Sequence, residues 1–344
     1  MSVLPSDTLA TIRESAGGGQ WPSAGFETLR GTDALRWSIP VEYGGRPVDD
    51  RTFLAAYIEL AEADLALCFV LTQRNGACQR IAGSANGRAK EELLPGLAAG
   101  ERFATVGISH LTTSRQHTDP AMRVARDGEG FRLDGFCPWA TSATRADTLV
   151  TGGQLTDGTQ VLVAADGHAD GVRPGEPMSL LALSESETGA VTLDGVWVGS
   201  DRMLAGPVEA VMRQGKGGGA GSLTTSALAI GLARRAAGLL QSESASRDDL
   251  TEAVEALVGS VESLRTELLE AVADGGSSAD SLRTRANSLA LRATQALLTA
   301  TKGAGFVVGH PAERAVREAM FFLVWSCPRP VAAAAMQQFA CSDT

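Results

Sequence analysis

At 344 residues the chain is longer than one ordinary hydrophobic core, so two or three packed units are expected. With 44% hydrophobic and 20% charged residues it reads as a globular protein with room for a buried site, and its formal net charge of −10 argues against nucleic acid or an anionic membrane surface as partner. Five scattered cysteines without a CxxC pair point to reduced thiols and the cytoplasm, the four histidines fall in no metal-ligand spacing, and neither a signal peptide nor the roughly 20-residue apolar run of a membrane span is visible.

From Ser6 to about Glu101 the pattern is helical. Asp49-Asp50 can cap a long helix in which Phe53, Ala56, Tyr57, Leu60 and Ala61 follow a 3.6-residue period, and which turns apolar on all sides from Leu65 to Leu71, the mark of burial. Ahead of it, Ile39 to Gly45 ends in two glycines, which suits a loop packed closely against a neighbour. Lys90 to Leu97 reads as a short helix stopped by Pro95, with Gly100 as punctuation.

At Phe103 the period changes to 2, and β character holds to about Leu204. Phe131 to Val150 reads as a strand, a tight turn at Asp134-Gly135, and a second strand resuming at Thr148. Between them lies Pro138-Trp139-Ala140-Thr141-Ser142: an indole that can lie against a flat ring, and hydroxyls that can meet a ring nitrogen, as a flavin platform would need. The plainer reading makes Trp139 a core residue and Thr141 and Ser142 turn residues. Asp157-Gly158 marks a hairpin, and Val191 to Val198 is a strand broken at Gly195. About a hundred residues of short strands suggest a small barrel or sandwich.

Gln214 to Ser222 is the most glycine-rich segment; Lys216 precedes the glycines, so it is not a Walker A loop but a hinge, or a helix N-terminus open to an anion. Beyond it, Leu223 to Leu240, Leu250 to Val272, Leu282 to Ala300 and Ala312 to Met320 each carry an apolar stripe, which predicts an antiparallel four-helix bundle. The expected division is α+β and multidomain: a helical domain over 1–103, a β-domain over 104–204 and a bundle over 205–344.

Several of these segments, in this order, resemble the acyl-CoA dehydrogenase superfamily over roughly Ile39 to Ala340. Ile39 to Gly45 is similar to its "Pro-Glu-x-Gly-Gly" loop, Trp139 to Ser142 to its "Trp-Ile-Thr-Asn" flavin segment, and Ile230 to Ala236 to its "Val-Gly-x-Ala-x-x-Ala" helix. Gly303 to Phe306, Pro311 to Arg314 and Arg317 to Ala319 look like "Gly-Gly-x-Gly-Phe", "Tyr-Pro-x-Glu-Arg" and "Arg-Asp-Ala". The resemblance implies a helical domain, a middle β-domain and a C-terminal four-helix bundle, assembled as a homodimer or homotetramer. It implies FAD, with FMN as the alternative, held by Ser109, Ser114, Trp139, Thr141 and Ser142, with Gly303 and Gly305 facing a neighbouring subunit's dinucleotide.

Three departures bear on function. Ser109 to Arg115 stands where the family has "Thr-Glu-Pro-x-Ala-Gly-Ser-Asp", so the small pair beside the phosphate is lost. The arginine that clamps pyrophosphate aligns with Ser222. The catalytic glutamate of "Tyr-Glu-Gly-Thr" gives way to Trp325-Ser326-Cys327-Pro328. Ser326 and Cys327 are therefore candidate catalytic residues by position, with helix capping as the plainer reading. His110, beside the predicted flavin, is a third because imidazole can relay a proton near neutral pH, unless it is simply a loop histidine. Three functions stay open: oxidation of a carbon-carbon bond in an acyl thioester with a non-standard base and an electron acceptor, a flavin monooxygenase served by a reductase, or a non-oxidative or non-catalytic member.

Overall fold

The computed structural model describes residues 2–112, 120–213, 223–274 and 278–341. Its N-terminal part comprises α1 (Ser6–Ser15), α2 (Ser23–Arg30), α3 (Asp50–Ala63), α4 (Leu65–Gly83) and α5 (Gly87–Ala99). The single long helix expected across residues 50–71 is two. Asp49 caps α3 by accepting from the Thr52 amide at 2.8 Å, whereas Asp64, in extended backbone at φ −150°, ends α3 and caps α4 by accepting from the Ala66 amide at 3.0 Å. A short side chain that competes for backbone amides is what divides an otherwise continuous apolar pattern. Pro95 does not stop α5 either. The helix runs on to Ala99 because Leu93, Leu94 and Leu97 are buried and anchor it on both sides of the proline, and Gly100 ends it at φ +70°. The Ile39 to Gly45 loop packs as tightly as its glycines suggest: a Cβ on Gly45 would lie 1.8 Å from the Ile39 carbonyl oxygen.

The β-domain contains β1 (Ala104–Gly107), the short α6 (Ser109–Thr112), β2 (Met122–Asp127), β3 (Gly130–Thr141), β4 (Thr148–Gln154), β5 (Gln160–Asp166), β6 (Val172–Pro174), β7 (Thr188–Gly199) and β8 (Met203–Val208). They form one eight-stranded sheet in the order β6-β7-β3-β2-β4-β5-β8, with β1 parallel to β4. The expected hairpin at Asp157-Gly158 is present, β4 and β5 pairing down to Gln154 opposite Gln160. The tight turn expected at Asp134-Gly135 is a bulge instead. Partners on both sides, β2 and β7, pull β3 straight through, and Gly135 absorbs the irregularity at φ +140°. Gly195 likewise sits at φ +63° inside an unbroken β7. β8 crosses the boundary expected at residue 204.

The C-terminal part holds α7 (Leu223–Ser244), α8 (Thr251–Asp274), α9 (Ala279–Gly305) and α10 (Pro311–Phe321), followed by a further helix, α11 (Arg329–Ala340). One apolar core joins α3 and the first half of α4 to α7, α8 and α9; a second joins the other half of α4, with α5, to the sheet. Helix α4 thus bridges bundle and sheet, and the space beside it is where several of the candidate residues meet. Buried ion pairs reinforce that junction. Arg314 on α10 lies 3.3 Å from Asp64 and 2.7 Å from Glu318, which also pairs with Arg235 of α7.

Candidate active site

A cavity of about 650 Å³ opens between the sheet, α4, the loop around Leu181 and the turn after α10. Its volume is that of a pocket for a cofactor or a mid-sized organic ligand. On the sheet side, Val106 and Ile108 supply apolar surface beside Ser109, Trp139 and Thr141. Trp139 is 46% exposed, so it is a wall of the cavity and not a core residue. The Thr141 hydroxyl is buried and lies 3.0 Å from that of Thr188. Ser109 Oγ lies 3.4 Å from Cys137 Sγ and donates to the Trp139 carbonyl at 3.3 Å.

The bundle side contributes Trp325 and Ser326, and α4 contributes Thr72, Gln73, Gln79 and Arg80. Ser326 holds a left-handed backbone at φ +45°, a conformation that serine adopts only when its surroundings enforce it. Arg80 donates to the Gly76 carbonyl at 2.9 Å, and burial pulls its guanidinium down to a pKa of about 10.

Ser109, Trp139, Thr141 and Ser326 therefore converge, and the other described candidates lie elsewhere. Ser142 is fully buried at φ +53°, accepting from the Trp21 indole and donating to the Ser186 carbonyl, both at 2.9 Å. It latches the N-terminal segment to the sheet. His110 is buried with Nε2 2.8 Å from the Gly152 carbonyl, and burial lowers its pKa. Cys327 is half-buried outside the cavity lining; burial raises its thiol pKa, and the nearby Arg283 guanidinium only partly opposes this. Gly303 and Gly305 close α9, away from the cavity: a Cβ on Gly303 would meet nothing within 4 Å, whereas one on Gly305 would strike Thr301 Oγ1 at 1.9 Å. Ser114 and the Gln214 to Ser222 segment lie outside the described residues.

The α4 wall escaped the sequence reading. Its signal was there: Thr72, Gln73, Gly76, Gln79 and Arg80 recur at i, i+1, i+4, i+7 and i+8, a polar and glycine stripe along one face of a largely apolar helix. The chemistry of the lining suits a flavin ring: an indole face, buried hydroxyls and small aliphatic groups on one wall. Trp139, Thr141 and Ser109 are the described residues that would hold it.

Residues 8–101 match the N-terminal domain family of acyl-CoA dehydrogenases. The chain is 22% identical over 225 residues to the probable acyl-CoA dehydrogenase YngJ of Bacillus subtilis (strain 168), covering 63% of this chain and 59% of that protein. It is 23% identical over 193 residues to a probable acyl-CoA dehydrogenase of Mycobacterium leprae (strain TN), covering 55% of this chain and 49% of that protein. The matches thus span 59% and 49% of the length of these relatives. In three dimensions the chain superposes on glutaryl-coenzyme A dehydrogenase in complex with glutaryl-CoA with a TM-score of 0.81, at 18% identity, over 96% of this chain and 93% of that one. The fold is that of an acyl-CoA dehydrogenase. The family match is confined to residues 8–101, and the curated relatives are similar to the chain at 22–23% identity.

Proposed function

We propose that this protein is a flavin-dependent oxidoreductase acting on an acyl thioester. The observation that carries the reading is the meeting of Ser109, Trp139 and Thr141 from the β-domain with Trp325 and Ser326 from the bundle side around one cavity. A bound flavin, FAD by family likeness, would accept a hydride from the substrate or, once reduced, pass electrons to dioxygen. The protein's residues orient the ring and shield it from water; Ser326 offers a hydroxyl on the opposite wall. The run Phe306-Val307-Val308, strongly exposed after Gly305, supports a homo-oligomer.

A second reading, a flavin monooxygenase served by a reductase, is favoured by one specific observation. The titratable side chains among the described lining residues are Tyr57, Arg80 and Arg317; Tyr57 is fully buried with its pKa driven far up by desolvation, and the arginines are cations. None can take an α-proton near neutral pH, and an unassisted Ser326 hydroxyl cannot either. Oxygen chemistry at the flavin needs no such base.

The test begins with the visible spectrum of the purified protein and mass identification of any released cofactor. Flavin at about one per chain, bleached anaerobically by an acyl thioester, supports the dehydrogenase. Flavin that bleaches only with a reductase, and whose reoxidation consumes oxygen with substrate turnover, supports the monooxygenase. A colourless protein that takes up neither FAD nor FMN overturns both and leaves a fold kept for another use.

A further inference from the structure

We infer that the acyl group this cavity receives carries a flat ring instead of an extended aliphatic chain; this rests on the thioester reading above. The chain is poor in aromatic residues, with ten Phe, five Trp and two Tyr. Yet Phe53, Tyr57, Phe69, Trp139, Phe321 and Trp325 all line this one cavity. Apart from Trp139, these rings make two contact groups, Phe69 with Phe321 and Trp325 forming an aromatic end, and Phe53 with Tyr57. Phe321 stacks on Trp325 at 4.8 Å between centroids and 15° between planes, Phe69 meets both edge-on at 4.9 Å, and Phe53 meets Tyr57 at 4.6 Å.

Rings so arranged offer an entering ring both edges and faces, the geometries aromatic pairs prefer. The end is also stiff. Asn287 donates to the Phe322 carbonyl at 2.9 Å and Arg283 to the Trp325 carbonyl at 3.0 Å, while the Arg283 guanidinium lies 6.0 Å from the Trp325 ring centroid. The turn bearing Phe321 and Trp325 is thereby held from behind by two buried side chains of α9. A flexible alkyl chain gains little from rigid ring walls and loses rotamer freedom against them. The same 650 Å³ must also hold the flavin ring, which leaves the aromatic end room for a compact group.

The test compares the pantetheine thioesters of phenylacetate and octanoate, which have equal carbon number and differ in shape. Binding to the full-length protein as purified is measured anaerobically by tryptophan fluorescence and titration calorimetry. The ring-bearing thioester is expected to bind about tenfold tighter, a margin that ring-ring contacts can supply. Phe321→Leu should reduce the preference to about threefold or less while keeping octanoyl affinity; Phe69→Leu, with folding checked by circular dichroism, provides a second variant. Equal or tighter octanoyl binding, an unchanged preference in both variants, or no binding of either thioester overturns the inference. A ring preference in a protein that takes up no flavin would uphold it while the redox reading falls; anaerobic bleaching by octanoyl thioester but not by 3-phenylpropionyl thioester, a ring-bearing acyl group that does carry a β-hydrogen, would do the reverse.

Discussion

Arg283 donates from Nη2 to the carbonyl oxygen of Trp325, 3.0 Å away, from a side chain with no exposed surface at all. Its Nε and Nη1 have no partner among the described residues, and burial pulls its pKa down to about 10. A guanidinium in that position is costly to desolvate, so its role is to position the turn more than to add stability. Arg283→Met, which keeps the volume and removes the charge, is expected to unfold in urea at or near the wild-type midpoint. Arg283→Ala should lose about 2–4 kcal/mol through the void it leaves. Equal losses in both variants would mean that the ion itself stabilises the fold.

The succession of helices, strands and helices was legible because the hydrophobic period switches from 3.6 to 2 near Phe103 and back beyond Leu223, a property of local sequence. Asp134-Gly135 misled for the opposite reason. Its local chemistry is that of a turn, but pairing to β2 and β7, set by residues distant in the chain, carries the strand through it. The site was half legible in the same way. Trp139 and Thr141 lie in one motif and reach the cavity together, whereas the aromatic end joins α4 to the turn after α10, a convergence only tertiary packing creates. Ser142 stood in the right motif, but its left-handed backbone turns its hydroxyl to Ser186.

Gly231 shows how a motif residue can be read as packing. A Cβ there would lie 2.5 Å from the Ile58 carbonyl oxygen and 2.6 Å from the Ala61 Cβ, so α7 approaches α3 as closely as glycine allows. Two effects oppose each other in Gly231→Ala. Helix propensity favours alanine by about 1 kcal/mol, while overpacking costs typically 1–3 kcal/mol. The clash is with backbone and cannot be relieved by a rotamer change, so a net loss of about 1–2 kcal/mol in chemical denaturation is expected. A stabilised variant would show that the two helices separate readily.

Arg314 neutralises two buried carboxylates, Asp64 and Glu318. Removing it leaves Asp64 without a cation, while Glu318 keeps its pair with Arg235, and Arg314→Met should cost about 3–5 kcal/mol near neutral pH. The deficit should depend on pH. Desolvation already raises the Asp64 pKa, with Arg314 opposing it, so the variant's carboxyl goes higher still. Between the unfolded value near 4 and that raised value the folded state binds the extra proton, so lowering the pH stabilises the variant relative to wild type. Urea midpoints at pH 7 and pH 5 should converge. A gap that stays constant would mean the loss is one of packing and not of charge.

His110 distinguishes a proton relay from a structural ring. With Nε2 2.8 Å from the Gly152 carbonyl, the neutral ring donates there, and protonation would place a second N–H at Nδ1, which has no partner among the described residues. Burial accordingly lowers its pKa. The unfolded chain takes up a proton as pH falls through about 6.5 while the folded chain does not, so stability is lost on acidification below that value, by at most about 1.4 kcal/mol per pH unit. His110→Gln keeps a donor for Gly152 and cannot titrate, so its urea midpoint should fall less steeply than wild type between pH 6.5 and 5.5. Because the ring is hydrogen-bonded to the sheet and does not line the cavity, kcat of His110→Gln should stay within about threefold of wild type, well short of the roughly 100-fold loss expected for a general acid or base. A large fall in kcat with an unchanged stability profile would return His110 to the chemistry.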